Sequence, residues 1–215
     1  MAFELPTPRL TQALQEVATD AYRLQLFSGD ECQRILQHIE AESLSGDAPM
    51  EAPNSMQEYG MVIKGADTTA WISALANTHL RSMIQNTFSY LPTPVFSSFY
   101  AFITHYAMDK NRDLSLHVDR SHITINICLS NESINGELTF TGARCADHLD
   151  TAPDVAVGIG SFSVGEAVVH AGNQRHFVTG IEEGSRTNLV IWAQMEGWDI
   201  RHNDDWVKQR CAACS

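Results

Sequence analysis

A change of hydrophobic period near residue 95 limits the folds open to this chain. Before it, Trp71, Ile72, Leu75, Leu80, Ile84 and Phe88 recur at helical spacing, which predicts one long amphipathic helix ended by Leu91-Pro92-Thr93-Pro94. After it, apolar residues alternate in short runs separated by turns, through to Trp192. Helices first and strands afterwards fit helices packed outside an antiparallel sandwich or barrel better than alternating βαβ units. The run from Ile123 to Leu129 carries the argument furthest. Successive strand residues face opposite ways, so Ile123, Ile125, Ile127 and Leu129 would cover the face against the helices. Thr124, Asn126 and Cys128 would then line a polar face behind them. The expected organisation is a single domain over residues 1–215. Its parts are a largely helical stretch at 1–94, a β core at 95–195 and a short tail at 196–215.

Smaller elements can be read around this frame. Residues 21–27 alternate like a strand, and Ser28-Gly29-Asp30-Glu31 is a capping box opening a helix with Cys32, Ile35, Leu36 and Ile39 on one face. Residues 41–54 are acidic and rich in small residues, hence a loop, and residues 59–64 read as a short strand. A chain of 215 residues suits one well-buried core better than two. No run of eighteen apolar residues occurs, and the start Met1-Ala2-Phe3-Glu4-Leu5-Pro6 lacks the basic end and apolar stretch of a secretory signal, so a cytoplasmic protein with no membrane partner is expected. The net charge of −12 disfavours a nucleic-acid partner and mildly favours a neutral or cationic substrate.

The chemistry is concentrated in His117-Val118-Asp119. On one strand, residues i and i+2 share a face, so the imidazole and the carboxylate could grip one metal ion while a second strand supplies a third ligand. His170 and His176 both qualify by position. Two His and one carboxylate on one side of an ion leave neighbouring positions open, the arrangement of non-haem Fe(II) oxygenases. Arg186 lies ten residues past His176, after the turn-like Glu182-Glu183-Gly184-Ser185, so the two could occupy consecutive antiparallel strands. Its guanidinium could take the far carboxylate of a dicarboxylic oxo-acid. A lone His-x-Asp is weak evidence, and its weight comes from its surroundings.

Those surroundings form an ordered series. Tyr106 precedes His117-Val118-Asp119-Arg120-Ser121-His122, residues 123–129 follow, and then Gly136-Glu137-Leu138-Thr139-Phe140. His170-Ala171-Gly172-Asn173-Gln174-Arg175-His176 and Gly184-Ser185-Arg186-Thr187-Asn188-Leu189-Val190-Ile191-Trp192 complete it. In order and spacing the series resembles the 2-oxoglutarate and Fe(II)-dependent oxygenases of the prolyl and lysyl hydroxylase type. Pro53-Asn54-Ser55-Met56, Tyr59-Gly60 and the terminal Cys-x-x-Cys narrow the likeness to the 2-oxoglutarate and iron-dependent oxygenase domain-containing proteins, from about Tyr22 to Cys214. Where relatives carry an apolar-Pro-Ile stretch after the second His, this chain has Phe177-Val178-Thr179-Gly180-Ile181, a departure that bears on the substrate.

The resemblance implies a double-stranded β-helix, jelly-roll or cupin-like, with the N-terminal helices on its major sheet. It implies Fe(II) held by His117, Asp119 and His176, with His176 preferred to His170 for its spacing to Arg186. It implies 2-oxoglutarate anchored by Arg186, with Tyr106, Thr124, Asn126 and Asn188 nearby, O₂ as second cosubstrate and ascorbate as reductant. The expected reaction is decarboxylation of 2-oxoglutarate to succinate and CO₂ with hydroxylation of a C–H bond, on a small molecule or a protein side chain. The rivals are a zinc hydrolase using the same two His and one Asp, which leaves Arg186 without a task, and a catalytically silent binding module of the same fold.

Other groups receive simpler readings. Residues 53–56 form a lid or substrate loop, or merely a turn. His105, His122, His148 and His202 have structural or surface roles, although Arg120 and His122 stand close enough to the motif to touch substrate. The five cysteines, Cys32, Cys128, Cys145, Cys211 and Cys214, are odd in number and scattered, which predicts reduced thiols rather than a disulfide framework. Cys211-x-x-Cys214 is half of a tetrahedral zinc site. The preferred reading is a pair of solvent-exposed thiols, and the alternative is a metal shared between two copies.

Overall fold

The computed structural model describes residues 4–10, 14–45, 51–91, 95–195 and 205–214. The strands are β1 (Gln15–Ala18), β2 (Ala21–Gln25), β3 (Met61–Val62), β4 (Phe96–Ala107), β5 (Leu114–His117), β6 (Ile123–Asn131), β7 (Ile134–Asn135), β8 (Leu138–Ala143), β9 (Val157–Gly158), β10 (Glu166–Ala171), β11 (Gln174–Val178), β12 (Ile181–Glu183) and β13 (Ser185–Met195). The helices are α1 (Gly29–Ser45), α2 (Ala66–Ala74), α3 (Arg81–Thr87) and α4 (Asp205–Arg210). A seven-stranded sheet runs β1-β2-β10-β6-β13-β4-β3, a four-stranded sheet β5-β11-β8-β9, and β12 pairs with β7 as a separate ribbon. All the pairings between these strands are antiparallel. Among the described residues no helix is long and apolar enough to cross a membrane.

The alternation of β6 sorts the core into two layers. Ile123, Ile125, Ile127 and Leu129 join Cys32, Ile35 and Ile39 of α1 and Ile72, Leu75 and Ile84 in one cluster, on the outer side of the large sheet. Each of the three isoleucines is fully buried, a gain of roughly 1.5–3 kcal/mol apiece. Cys128 belongs to the other cluster, with Tyr106 and Val168 of the large sheet against Leu138, Phe140 and Val178 of the small one. That layer lies between the sheets, and the cavity opens from it. The sandwich with helices on its major sheet is therefore as the pattern predicts.

The capping box closes as expected: the Ser28 amide donates to Glu31 Oε2 at 2.7 Å, and the Glu31 amide points back at Ser28 Oγ at 3.4 Å. Three local expectations are corrected. The stretch read as a loop from 41 onward is helical as far as Ser45, because α1 continues. The long helix from Trp71 to Phe88 is broken by a π-helical turn at Leu75–His79 between α2 and α3, so its apolar row survives in two segments; Pro92 and Pro94, its proposed terminator, lie outside the described residues. The strand expected over 59–64 shrinks to Met61–Val62, at the edge of the large sheet. The strand read over 21–27 is β2, which joins that sheet between β10 and β1, and β1 is the one N-terminal strand the pattern did not indicate among the described residues.

Candidate functional site

β5 and β11 pair antiparallel with His117 directly opposite His176, and this register brings together two imidazoles separated by most of the core sequence. Their ring centroids are 4.3 Å apart. Each Nδ1 faces a carbonyl two residues back, His117 to Ser115 at 2.7 Å and His176 to Gln174 at 2.9 Å. A carbonyl can only accept, so Nδ1 carries the proton and each Nε2 offers a lone pair. Both Nε2 atoms face Asp119 Oδ1, at 3.5 Å from His117 and 3.8 Å from His176. The three residues form a cluster whose ligand atoms lie within 4.8 Å of one another.

Asp119 is not on the strand with His117, as the i, i+2 reading had it. β5 ends at His117, and Asp119 sits in the connection beyond. Its place is set instead by the β10–β11 turn: its amide donates to the Gly172 carbonyl at 2.9 Å, and the Gly172 amide donates to the His122 carbonyl at 3.1 Å. A methyl group on Gly172 would collide with the Ser121 carbonyl oxygen at 1.8 Å, so only glycine permits this approach.

The second carboxylate oxygen faces away from His117 and His176. The Thr124 hydroxyl donates to Asp119 Oδ2 at 2.6 Å, and His170 Nε2 lies 3.7 Å from the same atom. Thr124 is thus committed to the carboxylate, and also lies 2.7 Å from the Ser121 hydroxyl, rather than free for an oxo-acid as the sequence suggested. His170 packs edge-on against Phe140 and stands on the Oδ2 side, outside the three-residue cluster.

The electrostatics favour donors over acids. Burial alone would raise the Asp119 pKa, but His176, His170 and His117 outweigh it and hold the carboxyl well below its usual range. Burial, with His117 adding to it, pulls His176 down to about 3, and burial likewise lowers His170. Burial also opposes protonation of His117, but its contact with Asp119 prevails and raises it. Asp119 is thus held as an anion and His176 and His170 as neutral imidazoles, while His117, favoured in its protonated form by Asp119, would give up its Nε2 proton when a cation binds.

A cavity of about 640 Å³ opens on this cluster. Two neighbouring strands give it parallel rows at period two: Tyr100, Phe102, Thr104 and Tyr106 from β4, and Trp192 and Val190 from β13. Sequence reading passed over the aromatic wall of Tyr100, Phe102 and Trp192, although their i, i+2 spacing was a usable signal. Asn126 lines the same space, and the Asn188 side-chain amide donates to its Oδ1 at 2.8 Å. The β13 row continues past Val190 to Asn188 and Arg186, which lie beyond the open part of the cavity. Arg186 stands opposite Tyr106 in register, its guanidinium 5.0 Å from that ring.

Arg186 and His176 are not on consecutive strands of one sheet: β12 intervenes, and β11 and β13 belong to different sheets. The Arg186 side chain is buried, donates from Nη1 to the Gly136 carbonyl, and has no hydrogen-bond partner on Nε among the described residues. No carboxylate among the described residues pairs with it, and burial lowers its pKa. Tyr106 is also fixed, because Gln57, missed in the sequence, donates to its hydroxyl at 2.9 Å. Residues 53–57 line the cavity and form a turn in which the Met56 amide donates to Asn54 Oδ1 at 2.9 Å. Arg120 lines the cavity; His122 does not, being fully buried with its Nδ1 accepting from the Met195 amide at 3.2 Å. His105 faces the Thr187 hydroxyl across β4 and β13, and His202 lies outside the described residues.

A second cluster was not foreseen. Cys211 is buried rather than exposed, and together with Cys214 it meets Cys145 and His148 of the same chain.

No family model matches the chain. Curated relatives do. Over 143 residues it is 32% identical to the 2-oxoglutarate and iron-dependent oxygenase domain-containing protein CP2 of Arabidopsis thaliana, covering 66% of this chain and 36% of that protein. Over 179 residues it is 31% identical to the 2-oxoglutarate and iron-dependent oxygenase domain-containing protein 2 of Danio rerio, covering 82% of this chain and 50% of the relative; the Homo sapiens protein of the same name is 29% identical over 187 residues, 85% and 52%. The chain thus spans about half or less of these relatives' length. Among solved structures it is similar to a Pseudomonas putida prolyl-4-hydroxylase (TM-score 0.57, 13% identity, 83% of this chain and 94% of that one) and a Burkholderia pseudomallei oxidoreductase of the 2OG-Fe(II) oxygenase family (TM-score 0.55, 13%, 86% and 86%). These two likenesses establish a shared jelly-roll fold.

Proposed function

The chain belongs to the 2-oxoglutarate and Fe(II)-dependent oxygenase superfamily, and on that premise we propose that it hydroxylates a C–H bond of a small molecule or a protein side chain, releasing succinate and CO₂. The observation that carries the reading is the buried, carboxylate-free guanidinium of Arg186 on the same β13 face as the cavity lined by His117, Asp119 and His176. A buried cation without a counter-charge is costly, and a dicarboxylate would supply one.

The donor set suits the metal. Two imidazoles and one carboxylate oxygen converge, the carbonyls of Ser115 and Gln174 hold each Nδ1 proton, and the Thr124 hydroxyl engages the second carboxylate oxygen. When bound, Fe(II) with 2-oxoglutarate and O₂ supplies the oxidising chemistry, and the protein's part is binding and orientation. His117, Asp119 and His176 would hold the ion on one side. Arg186 would pair with the far carboxylate, with Tyr106 and the Asn126–Asn188 pair beside it. The wall of Tyr100, Phe102 and Trp192 would exclude water and aim the substrate carbon. Ascorbate would keep the iron reduced.

The zinc-hydrolase reading uses the same triad but leaves the Arg186 guanidinium buried without purpose. Anaerobic titration of the Fe(II)-loaded protein with 2-oxoglutarate should develop a metal-to-ligand charge-transfer band, and turnover in air should yield succinate. Absence of both under saturating Fe(II) would overturn the proposal.

A further inference from the structure

Sequence reading placed Cys211-x-x-Cys214 alone at the chain end, with half the donors a tetrahedral ion needs. The fold supplies the other half. β8 of the small sheet ends at Ala143, and Cys145 and His148 stand on the short 3₁₀ turn that follows it, Ala146–His148. α4 ends at Arg210, and Cys211 and Cys214 form the next turn, with the Cys214 amide donating to the Cys211 carbonyl at 3.0 Å. The two half-sites have the same spacing, Cys-x-x-His and Cys-x-x-Cys, although His148 and Cys211 are 63 residues apart.

The distances match a four-coordinate ion. His148 Nδ1 lies 3.2 Å from the sulfur of Cys145, 3.6 Å from that of Cys211 and 3.4 Å from that of Cys214. The Cys145 and Cys214 sulfurs are 3.7 Å apart, and all four donors lie within 4.8 Å of one another. Tetrahedral Zn–S bonds of about 2.3 Å and Zn–N bonds of about 2.0–2.1 Å would set sulfurs about 3.8 Å apart and nitrogen about 3.6 Å from sulfur. Disulfide bonding would instead need sulfurs at about 2.05 Å, and all five cysteines are free.

The surroundings suit a centre of net negative charge, as three thiolates and one divalent ion make. The guanidinium groups of Arg144 and Arg175, both on buried residues, act electrostatically on Cys211. Hard cations prefer oxygen donors, whereas an S₃N set with no position left for water or substrate selects Zn²⁺.

We propose that Cys145, His148, Cys211 and Cys214 bind one Zn²⁺ as a closed structural site that fastens the C-terminal turn to the end of β8. The anchorage lies close to the oxygenase cluster. β8 pairs with β11, which carries His176, and the neighbouring Arg175 donates to the carbonyls of Leu149 and Thr151 in the loop after His148. The site stands independently of the reading of His117, Asp119 and His176.

The test uses the 215-residue chain carrying Asp119→Ala, so that the other cluster does not compete for the ion, purified under reducing conditions. Titration with Co²⁺ should give thiolate-to-cobalt charge-transfer and tetrahedral d–d bands that saturate near about one equivalent and disappear when Zn²⁺ is added. Cys145→Ser and Cys211→Ser should each lower zinc retained after a chelator challenge from about one equivalent to below about a tenth. If either variant fails to fold, the Co²⁺ titration of the parent decides alone. A parent with free thiols and no thiolate–cobalt band, a Cys211–Cys214 disulfide in place of zinc in the isolated protein, or unchanged zinc in both folded serine variants would overturn the site.

Discussion

The His117–Asp119–His176 cluster and the Cys145–His148–Cys211–Cys214 cluster use related side chains to opposite ends. The first gathers three donors at the wall of a large cavity, so any ion it held would keep positions facing that space. The second gathers four, three of them sulfur, around a point that two turns enclose. Donor count and surroundings separate an ion that can exchange its remaining ligands from one that serves only as a joint. The lesson concerns what supports each set. The first is positioned by strand register, with His117 opposite His176, and by hydrogen bonds to carbonyls. The second is positioned by two short turns, joined by a hydrogen bond from the Ala212 amide to the Ala143 carbonyl at 3.4 Å, and its ion would add to that link a joint of the kind that strand pairing makes elsewhere.

Mutations can break this comparison. The largest effect is expected of His117→Ala and Asp119→Ala, which should abolish Fe(II) or Mn(II) binding and turnover, a loss beyond about 100-fold in affinity, while zinc at the cysteine cluster stays put. Elemental analysis of both metals in each variant checks this. His176→Ala should behave likewise and His170→Ala should keep its iron, because His170 faces the oxygen already taken by Thr124; the reverse pattern would exchange their roles.

Arg186→Leu should come next. Iron affinity should change little, but 2-oxoglutarate affinity should fall by about 30- to 1000-fold, the equivalent of roughly 2–4 kcal/mol for a desolvated carboxylate that loses its charged partner. Titration followed by the charge-transfer band measures it, and a variant that titrates like wild type would remove Arg186 from the site.

A smaller change is expected from Thr124→Val, which deletes the 2.6 Å bond to Asp119 Oδ2 without touching the donors. Metal affinity should drop by about 10- to 100-fold, the usual cost of losing a group that orients a ligand.

The mildest test lies away from both clusters. Hydrogen bonds from the Ser28 amide and hydroxyl, aided by Arg9, hold the Glu31 pKa below its ordinary value against the effect of burial. A depressed carboxylate stabilises the fold above its unfolded pKa and loses that contribution as pH falls through its folded value. Glu31→Gln should therefore cost about 0.5–2 kcal/mol near neutral pH. In thermal melts, the gap to wild type should close as the medium becomes acidic enough to protonate Glu31 in the folded protein.

Residues differ in how much of this was legible in the sequence. The two-faced β6 and the Ser28–Glu31 box could be read because both depend on neighbours within a few positions. Asp119 was found by its spacing but placed wrongly, since what fixes it is a backbone contact with Gly172, far along the chain. The break at Leu75–His79 left the apolar row almost intact, so the period gave no warning of it. Cys145 and His148 were read singly, one as a scattered thiol and the other as an imidazole with a structural or surface role. Only folding brings them to Cys211, and the shared two-residue spacing was the sole trace available beforehand.

The contact at Gly172 has a consequence for anyone wishing to redirect this cavity. Tyr100, Phe102 and Trp192 meet a guest directly and invite randomisation for new selectivity. Gly172 meets nothing in the cavity, so a library chosen by distance from a docked molecule would treat it as neutral ground. Yet its bare backbone holds Asp119 in place, and even the smallest side chain there would press on the Ser121 carbonyl. The position with the least chemistry of its own is thus among the least negotiable in the design.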